Sequence, residues 1–276
     1  MCFTLFSIAN RLSIAMILAI GFAIPSYGSG EWDLGLAVGY GKRSNPLINS
    51  DDIKQYWLVD IAYYSDRWFF DNGDLGLVVS SARDISLNVI VGVNSDRVYF
   101  SHMNENFLFL ENDSVSSAEP LPDFVEAPDR DYAVEMGLEL IVDKPWGRFQ
   151  SQLNGDISNT HEGMELWMDY SYDFLIQRWY IQTSAGFSWR SANLNDYYYG
   201  ITAEDSRESE GYLSVYEAKN GFNSFAKLSL TYVIGKQWRW VNSFQYERIN
   251  SEAANSPIMT DDNVTTVFTG IFYSFM

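Results

Sequence analysis

Residues Asp131–Val142 read DYAVEMGLELIV. Every second residue from Tyr132 is apolar or aromatic: Tyr132, Val134, Met136, Leu138, Leu140 and Val142. Most of the intervening positions, among them Asp131, Glu135, Gly137 and Glu139, are charged or small. Successive side chains of a strand point to opposite faces, so this pattern makes a strand with one apolar face and one acidic face. A helix would scatter the same residues around its circumference. The segment also matches the roughly 9–11 residues a tilted strand needs to cross a bilayer. Its acidic face must then point either to bulk water, as in a soluble sandwich, or into a barrel whose apolar face meets lipid.

The wider composition fits the second arrangement. Hydrophobic residues are 47 % of the chain and aromatics 16 %, yet the mean hydropathy is −0.15, which describes apolar residues spread in alternation rather than gathered in blocks. Spanning strands are amphipathic and their loops polar, which gives such a balance. The net charge of −18 excludes nucleic acid as a partner, since phosphate binding needs clustered Lys and Arg. Acidic pieces such as Asp51-Asp52, Glu204-Asp205 and Asp261-Asp262 lack the spacing of a calcium loop and read as solvated segments.

The N-terminus has the form of an export signal. Arg11 precedes the uncharged run Leu12–Ile24, and Ser26 and Gly28 provide the small residues of a cleavage site, placed between Gly28 and Ser29. The expected organisation is a removed signal over 1–28 and one barrel domain over 29–276. Cys2 is the only cysteine and falls within the signal, so the mature chain carries neither disulfides nor thiolate chemistry. No later stretch is apolar enough for a membrane helix, so entry into a membrane requires a closed barrel.

Further alternating segments occupy Glu31–Arg43, Gln55–Tyr64, Ile85–Ser95, Phe149–Ile157, Met164–Phe174, Trp179–Arg190, Phe222–Ile234, Trp238–Ile249 and Asn263–Met276. Long polar connections at Ser101–Arg130, Ser191–Gly221 and Asn250–Asp262 are interleaved with tight turns at Ser81–Asp84, Asp143–Gly147 and Gly235–Gln237. That sorting is characteristic of outer-membrane barrels, which have short periplasmic turns and longer extracellular loops. Aromatics near strand ends, including Trp32, Trp57, Trp179, Trp189, Trp238 and Tyr273, suit two interfacial girdles. Both termini on the periplasmic side require an even strand count. Arg67–Ser80, with the turn signal Asp71-Asn72-Gly73, supplies two strands or none. Two gives the preferred single antiparallel barrel of twelve strands; none leaves ten.

Inward positions form a polar set. Glu135 and Glu139 on one strand are followed by Arg148 and Gln152 on the next, then by Glu165, Asp169 and Asp173, and by Arg178 and Arg190. Opposite charges on neighbouring strands predict a lumen filled in part by ion pairs, with the two glutamates facing arginines. A barrel of this size could instead leave a narrow channel.

Several segments carry a family resemblance. They are GLAVGYG at Gly35–Gly41, YYSDRWFFDNGDLG at Tyr63–Gly76, NDYYYGI at Asn195–Ile201, KLSLTYVIGKQW at Lys227–Trp238, YERI at Tyr246–Ile249, SPI at Ser256–Ile258 and FYSF at Phe272–Phe275. In this order the chain resembles the MipA/OmpV family (MltA-interacting protein) of Gram-negative outer-membrane proteins. The resemblance implies a cell outer-membrane location amid lipid and lipopolysaccharide. It implies a scaffold role in which a lytic transglycosylase meets a murein synthase. Immunogenic or adhesive surface roles are also described in the family. Tyr273 and Phe275 look like the terminal signal of the barrel-assembly machinery, although Met276 follows.

Nothing in the residues points to an enzyme. The two histidines, His102 and His161, fall at loop edges, and Ser101 beside His102 is mere adjacency. No cofactor or metal site is indicated, with no Cys or clustered His to hold zinc. Tyr197–Tyr199 reads as an interfacial anchor, or else as a loop recognition patch. The expectation is therefore a non-enzymatic barrel acting as an envelope scaffold, with a passive pore for small solutes or adhesion through long loops as alternatives.

Overall fold

A computed structural model describes residues 30–94, 110–112, 122 and 125–275. The proposed signal, with its cleavage residues Gly28 and Ser29, lies outside the described residues, as do His102 and Met276. The strands are β1 (Glu31–Arg43), β2 (Ile53–Tyr64), β3 (Trp68–Asp71), β4 (Asp74–Ala82), β5 (Ile85–Val93), β6 (Leu110–Asn112), β7 (Val134–Lys144), β8 (Gly147–Asp156), β9 (Met164–Ile176), β10 (Trp179–Arg190), β11 (Gly221–Val233), β12 (Trp238–Arg248) and β13 (Asn263–Ser274). All but β6 form one antiparallel ring of twelve, in which each strand pairs with the next and β1 closes on both β2 and β13. β6 is a three-residue addition beside the start of β2, pairing Leu110–Asn112 with Ile53–Gln55.

The ring follows from the alternation. In β7, Met136 and Leu138 are about half exposed on the outside, whereas Glu135 and Glu139 are buried. β5 pairs with β7 so that Val91 opposes Met136 and Val89 opposes Leu138, which puts apolar side chains side by side on the outer surface. A register slip of one residue would turn both sets over. Closure between first and last strands needs small residues inside. Gly35 on β1 lies against the ring of Phe272, and a Cβ there would sit 2.0 Å from Phe272 Cζ.

Arg67–Ser80 contributes two strands, as the twelve-strand count requires. β3 and β4 are joined at Asn72-Gly73, both with positive φ (49° and 115°), the geometry of the favoured two-residue hairpin. β3 is only four residues long, so this hairpin ends partway up the wall. Asn72 ties its tip to β2: Ile61 N–H donates to Asn72 Oδ1, and Asn72 Nδ2 donates to Asp60.

One end of the barrel carries short turns at 65–67, 83–84, 145–146, 177–178 and 234–237, together with both ends of the ring. The other end carries the long connections. The long loop expected at Ser191–Gly221 contains helices α1 (Ala192–Tyr199) and α2 (Ala203–Glu208), and a one-turn helix α3 (Ser251–Ala254) occurs in the last long connection.

The facing of β7 makes a direct prediction. Leu138→Arg places a charge on the outer surface at a cost of about 2–4 kcal/mol at mid-membrane and impairs assembly, whereas Glu139→Gln is tolerated. Heat-modifiable gel mobility of membrane-extracted protein distinguishes them, and equal behaviour would refute the facing.

Candidate functional site

The barrel is closed at its long-loop end by a packed cap. Leu47, Ile48, Val125, Leu194, Tyr198, Tyr199, Ile201, Leu213 and Ile258 are buried against one another in a single apolar cluster. They come from four connections: β1–β2, β5–β7, β10–β11 and β12–β13. Chain from four sectors of the rim meeting in one core must cross the mouth.

Helix caps and buried amides order this lid. Ser191 Oγ accepts from Leu194 N–H at the start of α1 and from Met164 N–H at the top of β9. Asn250 Oδ1 caps α3 through Ala253 N–H, while Asn250 N–H and Nδ2 both donate to Asn223 Oδ1 on β11. Asn195 Nδ2 donates to Lys219 O, and Ser256 Oγ donates to Tyr199 O, joining α1 to the last connection. Tyr198 and Tyr199 therefore serve the cap's interior, rather than forming an interfacial anchor or a recognition patch. Burial pushes the Tyr198 phenol up, out of the accessible range.

α2 is tied to the cap at its N-terminus. Thr202 Oγ1 accepts from Asp205 N–H, and Asp205 Oδ2 accepts from Thr202 N–H, a reciprocal capping box. Arg130 Nη2 lies 3.4 Å from the same carboxylate and donates to Gly200 O at 2.9 Å.

Below the cap the lumen is acidic. Glu135 accepts from Asn94 Nδ2 (2.8 Å) and meets His161 Nε2 (3.1 Å). His161 Nδ1 accepts from Gly163 N–H, which leaves Nε2 as the ring nitrogen facing Glu135. Glu139 accepts from Asn88 Nδ2 and Gln150 Nε2. The two glutamates thus face amides and an imidazole, and the arginines expected opposite them are elsewhere. Arg148 is bidentate with Asp143 on its own hairpin. Arg190 lies 3.6 Å from Glu165 and beneath the Tyr199 ring. Asp169 is buried on the inner face of β9, opposite Gln150. Arg178 stands exposed in the β9–β10 turn, outside the lumen. The polar interior exists, but neutral donors carry much of it. Register explains why: Glu139 sits beside Asn88 on β5 and next to the Gln150/Gln152 side of β8.

Cavities remain inside. One of ≈ 290 Å³ lies under the cap between Asp74, Ile90, Glu135, Gln152, Glu165 and Trp167. Another, of ≈ 270 Å³, opens at the short-turn end beside Asp143, Arg148, Asp173 and Tyr180. Among the described residues no cluster of His, Cys, Asp and Glu has the arrangement of a metal site.

A closed ring with an apolar exterior, a polar interior, and short and long connections at opposite ends defines an outer-membrane β-barrel. The family model described as MltA-interacting protein MipA matches residues 34–275, and the chain belongs to that family. It is 26 % identical to MltA-interacting protein of Escherichia coli (strain K12) over 147 residues, 53 % of this chain and 58 % of that one. It is 25 % identical to outer membrane protein OmpV of Vibrio cholerae over 146 residues, 53 % and 56 % of the two chains. The chain thus spans little more than half the length of these relatives. Over 269 residues it is 23 % identical to YiaT of Escherichia coli, covering 96 % of this chain and 99 % of the other. Among solved structures it is similar to a loop-deleted OmpT of Vibrio cholerae, with 8 % identity, a TM-score of 0.38, and 90 % and 99 % of the chains covered. A likeness so loose carries no weight beside the strand pairings themselves.

The cap has a predictable acid limit. Burial opposes the charge on Asp205, but its bonds from Thr202 and the Arg130 guanidinium prevail and hold the carboxyl below its ordinary 3.8. A carboxylate depressed on folding stabilises above its unfolded value, and the contribution fades as pH falls through the folded one. Cleavage of residues 191–220 by an acid-stable protease is therefore expected to accelerate below about pH 3.8. In Asp205→Asn the cap is already open to cleavage above that pH, with no acid onset.

Proposed function

We propose that the chain is a non-enzymatic scaffold of the cell envelope, which contacts peptidoglycan-remodelling enzymes from its periplasmic end. The observation that carries this reading is the cap. A mouth crossed by a buried core from four connections is built for permanence rather than for passage. The polar interior, with Glu135 and Glu139 each bonded to two partners, stiffens the wall and leaves little through-path. Support for the partner class comes from the relative named MltA-interacting protein. The partners we assign are a lytic transglycosylase and a murein synthase.

In the same reading residues 1–28 are removed on export between Gly28 and Ser29. Tyr273 and Phe275 present the strand end to the assembly machinery: Tyr273 packs tilted against Trp238 at 4.7 Å, and Phe275 N–H donates to Leu34 O across the closure.

Two measurements test the scaffold. In planar bilayers the purified protein is expected to give no stable open steps, and regular steps would favour the passive-pore alternative. Crosslinking in intact envelopes followed by purification is expected to recover a murein enzyme. Recovery of none, from cells that express both, would overturn the proposed role.

A further inference from the structure

We propose that the short-turn rim is a binding surface for the phosphate groups of anionic glycerophospholipid. Four of the five short turns place a cation within two residues of a tryptophan: Arg67-Trp68, Lys144-Pro145-Trp146, Arg178-Trp179 and Lys236-Gln237-Trp238. The fifth turn carries Arg83. This repetition recurs around the barrel in turns whose remaining residues differ.

Each tryptophan is held by a neighbouring tyrosine. Trp68 lies 4.6 Å from Tyr63, Trp146 stacks on Tyr170 at 6.1 Å, Trp179 lies 4.9 Å from Tyr232 and Trp238 lies 4.7 Å from Tyr273. Tyr170 OH also donates to Trp146 O, fixing that turn to the adjacent strand. Indole and phenol rings settle where hydrocarbon gives way to headgroups. In the turns of Arg67, Arg178 and Lys236 the cation lies one or two residues further toward the tip than its tryptophan, at the level of lipid phosphate, where a guanidinium can take two oxygens at once. In the β7–β8 turn Trp146 itself is at the tip and Lys144 ends the strand.

The cations are available for this. Arg67, Arg83, Arg178 and Lys236 are exposed and make no ion pair among the described residues. Lys144 bonds Asp84 at 2.7 Å, so it contributes less. Asp66 shares the turn of Arg67 and is the nearest acidic competitor in sequence. The opposite rim is built differently. Arg190, next to Trp189, is turned into the lumen beside Glu165. Lys42 and Arg248 at that end are taken by Asp52 and Asp262. Arg207 and Lys219 at that end are exposed as well, but neither adjoins a tryptophan. In a chain of net charge −18, the repeated pairing of an exposed cation with a tryptophan is what marks the short-turn rim for an anionic surface. The proposal stands independently of the scaffold reading.

The test is competition for the purified mature protein in neutral detergent. Phosphatidylcholine and phosphatidylglycerol are offered in equal amounts, and retained lipid is counted by native mass spectrometry. Phosphatidylglycerol is expected to prevail by about fivefold or more, the effect of roughly one basic residue at an anionic membrane surface. The triple variant Arg67→Gln/Arg178→Gln/Lys236→Gln is expected to lose the preference while keeping its heat-modifiable mobility. Lys236→Gln alone gives a graded loss should the triple variant misassemble. Equal retention of the two lipids by the unsubstituted protein overturns the proposal, as does a preference unchanged by the substitutions. It is overturned equally if inorganic phosphate abolishes the preference, or if binding to isolated sacculi responds to the substitutions and lipid retention does not.

Discussion

A backbone immersed in hydrocarbon has no water to bond, so every N–H and C=O must find its partner in the chain. The rest of this structure depends on that constraint. It forces β1 to close on β13 as well as on β2, and closure gives each strand two neighbours and two chemically distinct faces. The places where the wall is irregular show the same demand. β3 stops after four residues, and the Asn72 side chain then supplies the acceptor for Ile61 N–H.

Closure leaves a polar interior and two ends, and the ends are treated differently. The outer mouth is crossed by a small apolar core with short, well-capped helices around it. Its polar groups are bonded across connections, as where Ser256 reaches Tyr199 and Asn195 reaches Asn250. These bonds resist the entropy of long loops, which would otherwise keep the connections apart. Among the described residues the inner rim has no such cover and offers aromatic rings and cations instead. The lumen between them is held by buried amides as much as by ion pairs, which spares it much of the desolvation cost of burying paired charges.

The strand ring was legible because its signal has period two and repeats in ten of the twelve wall segments. Leu138 beside Glu139 tells inside from outside without any knowledge of partners. Asn72-Gly73 specifies its hairpin through positive φ, and this resolved the even count to twelve. The cap was not legible in the same way. α1, with the sequence ANLNDYYY, has too weak an apolar stripe to announce a helix, and it is stabilised by Ser191 and by contacts with chain more than fifty residues away. The Thr202–Asp205 capping box was the one local sign of helix there. The partners of Glu135 were hidden for a related reason. Alternation turned it inward, but Asn94 lies beyond the end of β5 and His161 lies in a turn, where no periodicity applies. Arg178 was misassigned to the lumen because it adjoins a strand start, and the turn carries it out.

The most direct test of a barrel shut on its outer side is hydrogen exchange of the protein in a bilayer, resolved to the segments 192–199 and 251–254 and compared with β7. A packed cap predicts that amides of α1 exchange far more slowly than an unstructured peptide, approaching the protection of Glu135–Leu140. Exchange of α1 at the free-peptide rate, with β7 still protected, would contradict the cap and reopen the lumen as a pore.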